Sequence, residues 1–302
     1  MASPRVIGVD LGGTKILAGV VDEAGAVTAR REHRTPVGSQ AELLTAIDGA
    51  VDDLLGEGVG ALGIGVPSTI DQRTGRVEGS VNIPLADVDL RGRMTERFGL
   101  PVAIENDANA AAIAEFRAGA GREARTMVML TLGTGCGGGV VLDGALFRGW
   151  AELGHIVIDV DGVPCQGACA GRGHLEPYVT GLAATKLARE AFGPAADSHR
   201  LVRLANEGES VAQGILRSIG EKLGAGIASL VNVFNPELVV IGGGFAAAGE
   251  WLLEPAREIV RWQALAPAGE RVRIVRAELG TAAGLIGAAF VGFEALAAAS
   301  RP

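Results

Sequence analysis

One local pattern occurs twice in this chain and constrains its fold more than any other. Val6-Ile-Gly-Val-Asp10 is a short apolar run, Leu11-Gly-Gly-Thr-Lys15 a polar glycine turn, and Ile16-Leu-Ala-Gly-Val-Val21 a second apolar run. Run, turn, run is the signature of a β-hairpin. Met127 to Leu132, Gly133-Thr-Gly-Cys-Gly137 and Gly139 to Leu142 repeat the plan, about 120 residues further on, which points to a duplicated domain. At 302 residues the chain also exceeds what a single core usually serves, so two domains are the natural expectation.

After each hairpin, helical and strand patterns alternate. Ala41 to Leu55 has helical spacing, Ala61 to Val66 reads as a buried strand ending at Pro67, and Arg73-Thr-Gly-Arg76 is a polar turn. Val81-Asn-Ile-Pro84 reads as extended and Pro101 to Ile104 as a strand running into an alanine-rich helix that ends near Ala118. In the second half, Gly181 to Phe192 and Val211 to Phe234 read as helices, the latter stopped by Asn235-Pro236. Glu237 to Ile241 is a strand leading into Gly242-Gly-Gly244 and a helix, and Arg271 to Glu278 is the last strand. Thr281 to Ser300 is long and apolar enough to span a bilayer, but it is rich in Ala and Gly and carries Glu294. It reads instead as a helix closing the fold. The expectation is an α/β fold of two related lobes with a cleft between them. The small lobe covers 1–118, with a C-terminal helix at about 283–302 packing back on it, and the larger lobe covers 119–282. Ligands in such sheets bind at the carboxyl ends of strands. Asp10–Lys15, Asn106–Asp107, Gly133–Gly137 and Gly242–Gly244 all fall there.

The net charge of -8 and the lack of a basic run argue against nucleic acid or an anionic membrane as the partner. They leave phosphate open, because backbone amides at turns and helix starts hold phosphates without lysine. Three cysteines, and no apolar leader after Met1-Ala-Ser-Pro4, point to a cytoplasmic protein with reduced thiols. The 46 glycines and the preference for Arg over Lys read as genomic base composition.

Asp10-Leu-Gly-Gly-Thr14 sets a carboxylate, two bare backbones and a hydroxyl around one turn. A phosphate fits against Gly12 and Gly13, with Thr14 donating and Asp10 holding Mg²⁺ through water. The same residues equally suit a tight hairpin, for which glycine is the default. Gly133-Thr134-Gly135 repeats the arrangement, with Cys136 inside it as a small space-filler. Asn106-Asp107 lies between a strand and a helix. Asp107 there is either a helix N-cap or a general base kept ionised by the helix N-terminus. Finally, His155, Cys165, Cys169 and His174, flanked by Glu152 and Glu176, supply the four nitrogen and sulfur donors of a closed tetrahedral zinc site, the alternative being an ordinary loop with two buried thiols and two solvated histidines. The loop from Val163 to Gly173, rich in Gly and Pro, wraps tightly but does not suit a helix or strand.

The ordered set Asp10-x-Gly-Gly-Thr14, Glu105-Asn-Asp107-Ala-Asn109, Gly133-Thr-Gly-x-Gly-Gly139, Glu152-x-x-His155, the Cys/His loop ending in Leu175-Glu176, and Val239-Val-Ile-Gly-Gly-Gly244 resembles the ROK family of sugar kinases and repressors, and within it the bacterial ATP-dependent glucokinases. The resemblance implies an actin-like, hexokinase-type (ribonuclease H-like) fold with ATP and Mg²⁺ between the lobes. It implies that Asp107 is the catalytic base acting on the 6-hydroxyl of a hexose, glucose first. Asn106, Glu152, His155 and Glu176 then match residues that bind the other hydroxyls, and Gly65 and Asn82 lie where the first lobe meets the sugar. Gly12, Gly13, Thr14 and Thr134 match phosphate contacts, completed by Asp10, Lys15, Gly133 and Gly135. Gly242, Gly243 and Gly244 match the adenosine site, and His155, Cys165, Cys169 and His174 the ligands of a structural Zn²⁺. The family's usual Cys-x-Cys-x4-Cys is here Cys-x3-Cys-x4-His, a Cys2His2 set. Fructose, mannose, allose or an N-acetylated amino sugar are alternative substrates. A sugar-sensing regulator of the family is disfavoured, since the first strand begins at Arg5 and leaves no room for a helix-turn-helix. Polyphosphate as donor fits an acidic chain poorly. The family generally forms homodimers or homotetramers.

Overall fold

The computed structural model describes residues 4–301 apart from 57, 81, 150 and 168. The start of the expected extended segment, Val81, and the N-terminal Met1-Ala-Ser3 therefore lie outside the described residues. The chain forms two compact units, residues 1–119 with 281–302 and residues 120–280.

In the first unit, β1 (Arg5–Leu11), β2 (Lys15–Val21) and β3 (Val27–Arg34) run antiparallel in sequence, and β4 (Val59–Val66) lies parallel to β1 on its other side. A small antiparallel sheet follows, made by β5 (Ser68–Asp71), β6 (Arg76–Ser80) and β7 (Ala86–Asp89). β8 (Val102–Asn106) then joins β4 in parallel, giving the order β3-β2-β1-β4-β8. The second unit repeats this plan with β9 (Met127–Leu132), β10 (Cys136–Leu142), β11 (Ala145–Leu146), β12 (Leu238–Gly242) and β13 (Arg273–Arg276), in the order β11-β10-β9-β12-β13. In both units the third strand pairs with the second, the second with the first, and the fourth and fifth add on in parallel. This twice-used sheet is that of the actin-like, hexokinase-type fold.

Several elements differ from the sequence reading. β3 reads Val-Thr-Ala-Arg-Arg-Glu-His-Arg and is largely exposed, so it carries no apolar alternation to announce it. It is an edge strand, and charge on an edge discourages pairing with other chains. Asn82 to Pro84 forms bends, not a strand, and Arg271 ends a short helix, Ala268–Arg271, ahead of the last strand. The helices Leu90–Phe98 and Ser198–Asn206 are additions, each started by an aspartate, Asp89 or Asp197, whose side chain accepts a backbone hydrogen bond in the first turn.

The stretch Gly280–Ala299 is long and apolar enough to cross a membrane. Its helix, Ala283–Ala299, packs in the first unit, with Leu285, Ala288 and Ala289 fully buried. Glycines set how closely it packs. A methyl group at Gly63 would overlap the carbonyl of Ala288, and one at Gly287 the carbonyl of Ala110 in the helix Asp107–Ala118. At these positions glycine is a packing requirement, which corrects the reading of the glycine content as base composition alone.

Candidate active site

The first unit gathers its candidate residues along one sheet edge. Asp10 pairs in register with Gly65, Gly65 with Glu105, and Val66 with Asn106. Asp10, Gly65 and Asn106 thus lie near the carboxyl ends of three neighbouring parallel strands. β8 passes directly into the helix Asp107–Ala118. Two residues in succession have side chains suited to capping it. Asn106 takes the role, its Oδ1 accepting from the N–H groups of Ala108 at 2.9 Å and Asn109 at 3.2 Å. Asp107 is the first helical residue, and its Oδ1 accepts from the N–H of Ala108 at 2.8 Å. Gly65 faces the start of this helix: a Cβ added there would lie 3.8 Å from the Asp107 Cα.

Asp10 is drawn toward neutrality. Burial pushes its pKa up to about 6, the Asp107 charge adds to the effect, and Lys15 opposes it. Two carboxylates that repel at one strand edge suit a divalent cation, whose charge reverses that repulsion. The turn between β1 and β2 is closed by the Gly12 N–H donating to the Lys15 carbonyl at 2.9 Å and is braced by the Thr35 hydroxyl donating to the Gly12 carbonyl at 2.7 Å. Gly13 and Thr14 are exposed on it. Asn82 faces Gly13, where an added Cβ would lie 3.7 Å from its own Cβ. Lys15 extends to Glu32 at 3.2 Å.

In the second unit, the turn Gly133-Thr134-Gly135 is closed by the Gly133 N–H donating to the Gly135 carbonyl at 2.9 Å. The Gly133 carbonyl in turn accepts from Gly181, the first residue of the helix Gly181–Phe192, at 3.0 Å. A cleft of about 400 Å³ opens beside this turn, lined by Gly133, Thr134, Thr185, Ser198, Gly244 and Phe245 among others. Of the three consecutive glycines only Gly244 lines it. Gly242 is buried at the end of β12, and Gly243, with φ 82°, carries the chain over Leu132. The lining by Thr185, Ser198 and Phe245 was not read from the sequence. The one available signal was Asp197-Ser198 as a helix start.

Glu176 reaches back to the glycine turn, its Oε2 accepting from the Cys136 N–H at 2.8 Å. Burial, followed by the Glu176 charge, pushes the Cys136 thiol up to about 12. His155, Cys165, Cys169 and His174 come together, one ligand atom from each lying within 4.8 Å of the others. Cys169 Sγ is 3.6 Å from His174 Nδ1, and the two imidazole rings meet edge to face with centroids 5.2 Å apart. His155 Nδ1 is buried with no hydrogen-bond partner among the described residues. Two thiols and two imidazoles converging this closely, one ring with an unpartnered nitrogen, fit a tetrahedral Cys2His2 zinc site. Glu152 stands outside this set, mostly exposed and 3.8 Å from His155 Nδ1. The loop is more regular than expected. Val157 bridges to His174 and Pro164 to Arg172, while Cys165 donates to the Gly171 carbonyl at 2.9 Å and Gly173 to the Val163 carbonyl at 2.8 Å. These pairings form a small antiparallel ladder that brings the widely spaced ligands to one point.

Comparison with known proteins places these observations in a lineage. The ROK family pattern matches residues 6–293. The glucokinase of Streptomyces coelicolor is 35% identical over 306 residues, covering 94% of this chain and 96% of its own. The bifunctional enzyme NanE/NanK of Brucella melitensis is 36% identical over 298 residues, covering 95% of this chain and 54% of its own. Among solved structures, a ROK family glucokinase from Streptomyces griseus in complex with glucose and AMPPNP has a TM-score of 0.84 at 35% identity, covering 96% of this chain and 99% of that one.

Proposed function

Because this chain belongs to the ROK family, we propose that it is a hexose kinase that transfers the γ-phosphoryl group of ATP to the 6-hydroxyl of glucose. The observation that carries this reading is the placement of Asp107. Asn106 is the N-cap and Asp107 the first helical residue, which sets the Asp107 carboxylate at the head of the helix, electrostatically coupled to Asp10, where it can serve as a base. Phosphoryl transfer asks little covalent chemistry of a protein; it needs an oriented hydroxyl, a group to take its proton, and compensation of phosphate charge. Asp107 takes the proton. Gly12, Gly13 and Thr14 with Gly133, Thr134 and Gly135 offer amides and hydroxyls to the phosphates, and the cleft beside Gly244 and Phe245 receives the adenosine. Asp10 would hold Mg²⁺, which when bound neutralises charge on the transferring group.

For the sugar, Asn106 keeps its amide nitrogen as a donor while its oxygen caps the helix. Glu176 holds Cys136 with one oxygen and has further lone pairs for a sugar hydroxyl. His155 would hold the zinc with one ring nitrogen and offer the other to the sugar, so that the metal would orient a recognition group. Gly65 leaves room beside Asp107, and Asn82 and Glu152 are outer contacts. A homodimer or homotetramer in the cytoplasm is the setting we assign to it.

The second reading is an N-acetylated amino sugar kinase, favoured by the 36% identity to the NanE/NanK enzyme. A coupled ADP-release assay with ATP across glucose, fructose, mannose, allose and N-acetylmannosamine separates the two. The expected result is the highest kcat/KM with glucose. A preference for N-acetylmannosamine moves the assignment to the second reading, and a failure to release ADP with any of these sugars removes both.

A further inference from the structure

We propose that Glu105 is a positioning residue for phosphoryl transfer, a buried carboxylate that fixes the strand–helix junction carrying Asn106 and Asp107. The inference rests on the proposed role of Asp107. Glu105 is fully buried, so it cannot itself touch a sugar. Its neighbours along β8, Val102 and Ile104, are ordinary core residues. An apolar side chain at 105 would avoid the cost of burying a charge, which is high unless the charge is well hydrogen-bonded.

What an apolar side chain lacks is the ability to gather donors. Glu105 Oε1 accepts from Gln72 Nε2 at 2.9 Å, from the Asn106 N–H at 3.0 Å and from Asn109 Nδ2 at 3.1 Å. These donors belong to three separate pieces: the β5–β6 turn, the junction itself, and the first turn of the following helix. Asn106 is thereby held at both ends, its N–H by Glu105 and its side chain by the helix it caps. Asp107 is the next residue and inherits that geometry. One turn on, Asn109 Oδ1 is buried without a partner among the described residues. The orientation of that amide is set by Glu105 drawing its nitrogen, and loss of the carboxylate would free it to flip.

The outer anchor is firm as well. In the β5–β6 turn, Asp71 Oδ1 accepts from the Arg73 N–H at 2.9 Å. Arg91, from the helix Leu90–Phe98, donates to the carbonyls of Gln72 at 3.2 Å and Arg73 at 3.1 Å. A line of hydrogen bonds therefore runs from Arg91 through Gln72 and Glu105 to Asn106, the residue directly before the proposed base. Small displacements of a catalytic group matter: about 1 Å is enough to cost roughly 100-fold in rate.

The test is steady-state kinetics of full-length Glu105→Leu, Glu105→Gln and Gln72→Leu, each checked for folding by thermal melt. Glu105→Leu is expected to lower kcat by about 30-fold or more while KM for ATP stays within about twofold, since the nucleotide cleft is built by other residues. Glu105→Gln, which keeps an acceptor oxygen, should recover most of the loss, and Gln72→Leu should lower kcat by about threefold with KM for ATP unchanged. A general structural defect would move both parameters and would not be rescued by glutamine. Folded Glu105→Leu with kcat near that of the wild type overturns the inference alone. Should the leucine variant fail to fold, wild-type kcat in both Glu105→Gln and Gln72→Leu overturns it. A wild-type enzyme that turns over no hexose overturns the kinase reading and this inference with it.

Discussion

Asp10 illustrates at the scale of one residue how function is set against stability. Its pKa of about 6 in the fold stands above the ordinary 3.8, so between these values the native state binds more protons than the unfolded one. Stability therefore falls as pH rises through that window, and the loss persists above it. A shift of about two units corresponds to roughly 3 kcal/mol at most. Asp10→Asn removes the ionisable group. Without added magnesium it should melt higher than the wild type at pH 7.5, lose that advantage near pH 4, and be nearly inactive. Equal melting curves at pH 7.5 would remove the electrostatic account. The neighbouring pair Asn106 and Asp107 is separable in the same way. Asn106→Ala should cost about 1 kcal/mol of stability through the lost cap. Asp107→Ala should cost less than this, because the Ala108 N–H that both side chains share keeps Asn106 as its acceptor, and should lower kcat by about 10²- to 10⁴-fold with sugar affinity retained. Equal loss of stability in the two variants would mean that Asn106 is not the main cap. The sequence identified both residues but not their division of labour, because Asn and Asp are equally good caps. The choice is made where β8 ends, and Asn106 still has extended backbone, φ -63° and ψ 143°.

At the scale of the element, the Cys/His loop was legible in its ligands and not in its shape. Cys165, Cys169 and His174 are crowded enough in sequence to suggest a metal, whereas the ladder through Pro164 and Arg172 arises from residues with low strand propensity. It rests on backbone pairing across a narrow loop and on Gly173, at φ 65°, packed against the Asp159 carbonyl. β3 was missed for a related reason: Arg30, Arg31 and Glu32 are exposed, and an exposed edge strand carries no alternation to read. The ladder makes the metal prediction specific. In native protein Cys136 should resist alkylation at pH 8, since burial pushes its thiol up to about 12 and shields it from reagent. Cys165 and Cys169 should be protected by zinc and become alkylated once a chelator removes it, as read by intact mass and zinc release. Cys169→Ser should weaken sugar affinity and stability together. Alkylation of Cys165 and Cys169 at the same rate before and after chelation would sink the zinc assignment.

For the whole molecule, the duplicated hairpin was the feature that the sequence revealed most clearly, and the sheets bear it out in matching strand order. That order was not itself readable, because β3 and β11 are the strands with least apolar pattern. Less visible still was why a chain with 46 glycines needs some of them. A glycine that is present through base composition and one that permits two backbones to touch look identical in sequence, and they differ in the sign of the same substitution. Gly49 lies within the helix Gln40–Asp52 with nothing within 4 Å of an added Cβ. Gly49→Ala should therefore stabilise by roughly 0.5–1 kcal/mol through helix propensity alone. Gly287 lies in the C-terminal helix against the carbonyl of Ala110, in the helix that begins at Asp107. Gly287→Ala gains the same propensity but must push the two helices apart, at a cost of about 1–3 kcal/mol. It should melt lower than the wild type. Because the displaced helix begins at Asp107 and is capped by Asn106, its kcat should also fall while KM for ATP holds. Two alanines of like sign in thermal melts would mean that close helix packing is not what the glycine at 287 provides.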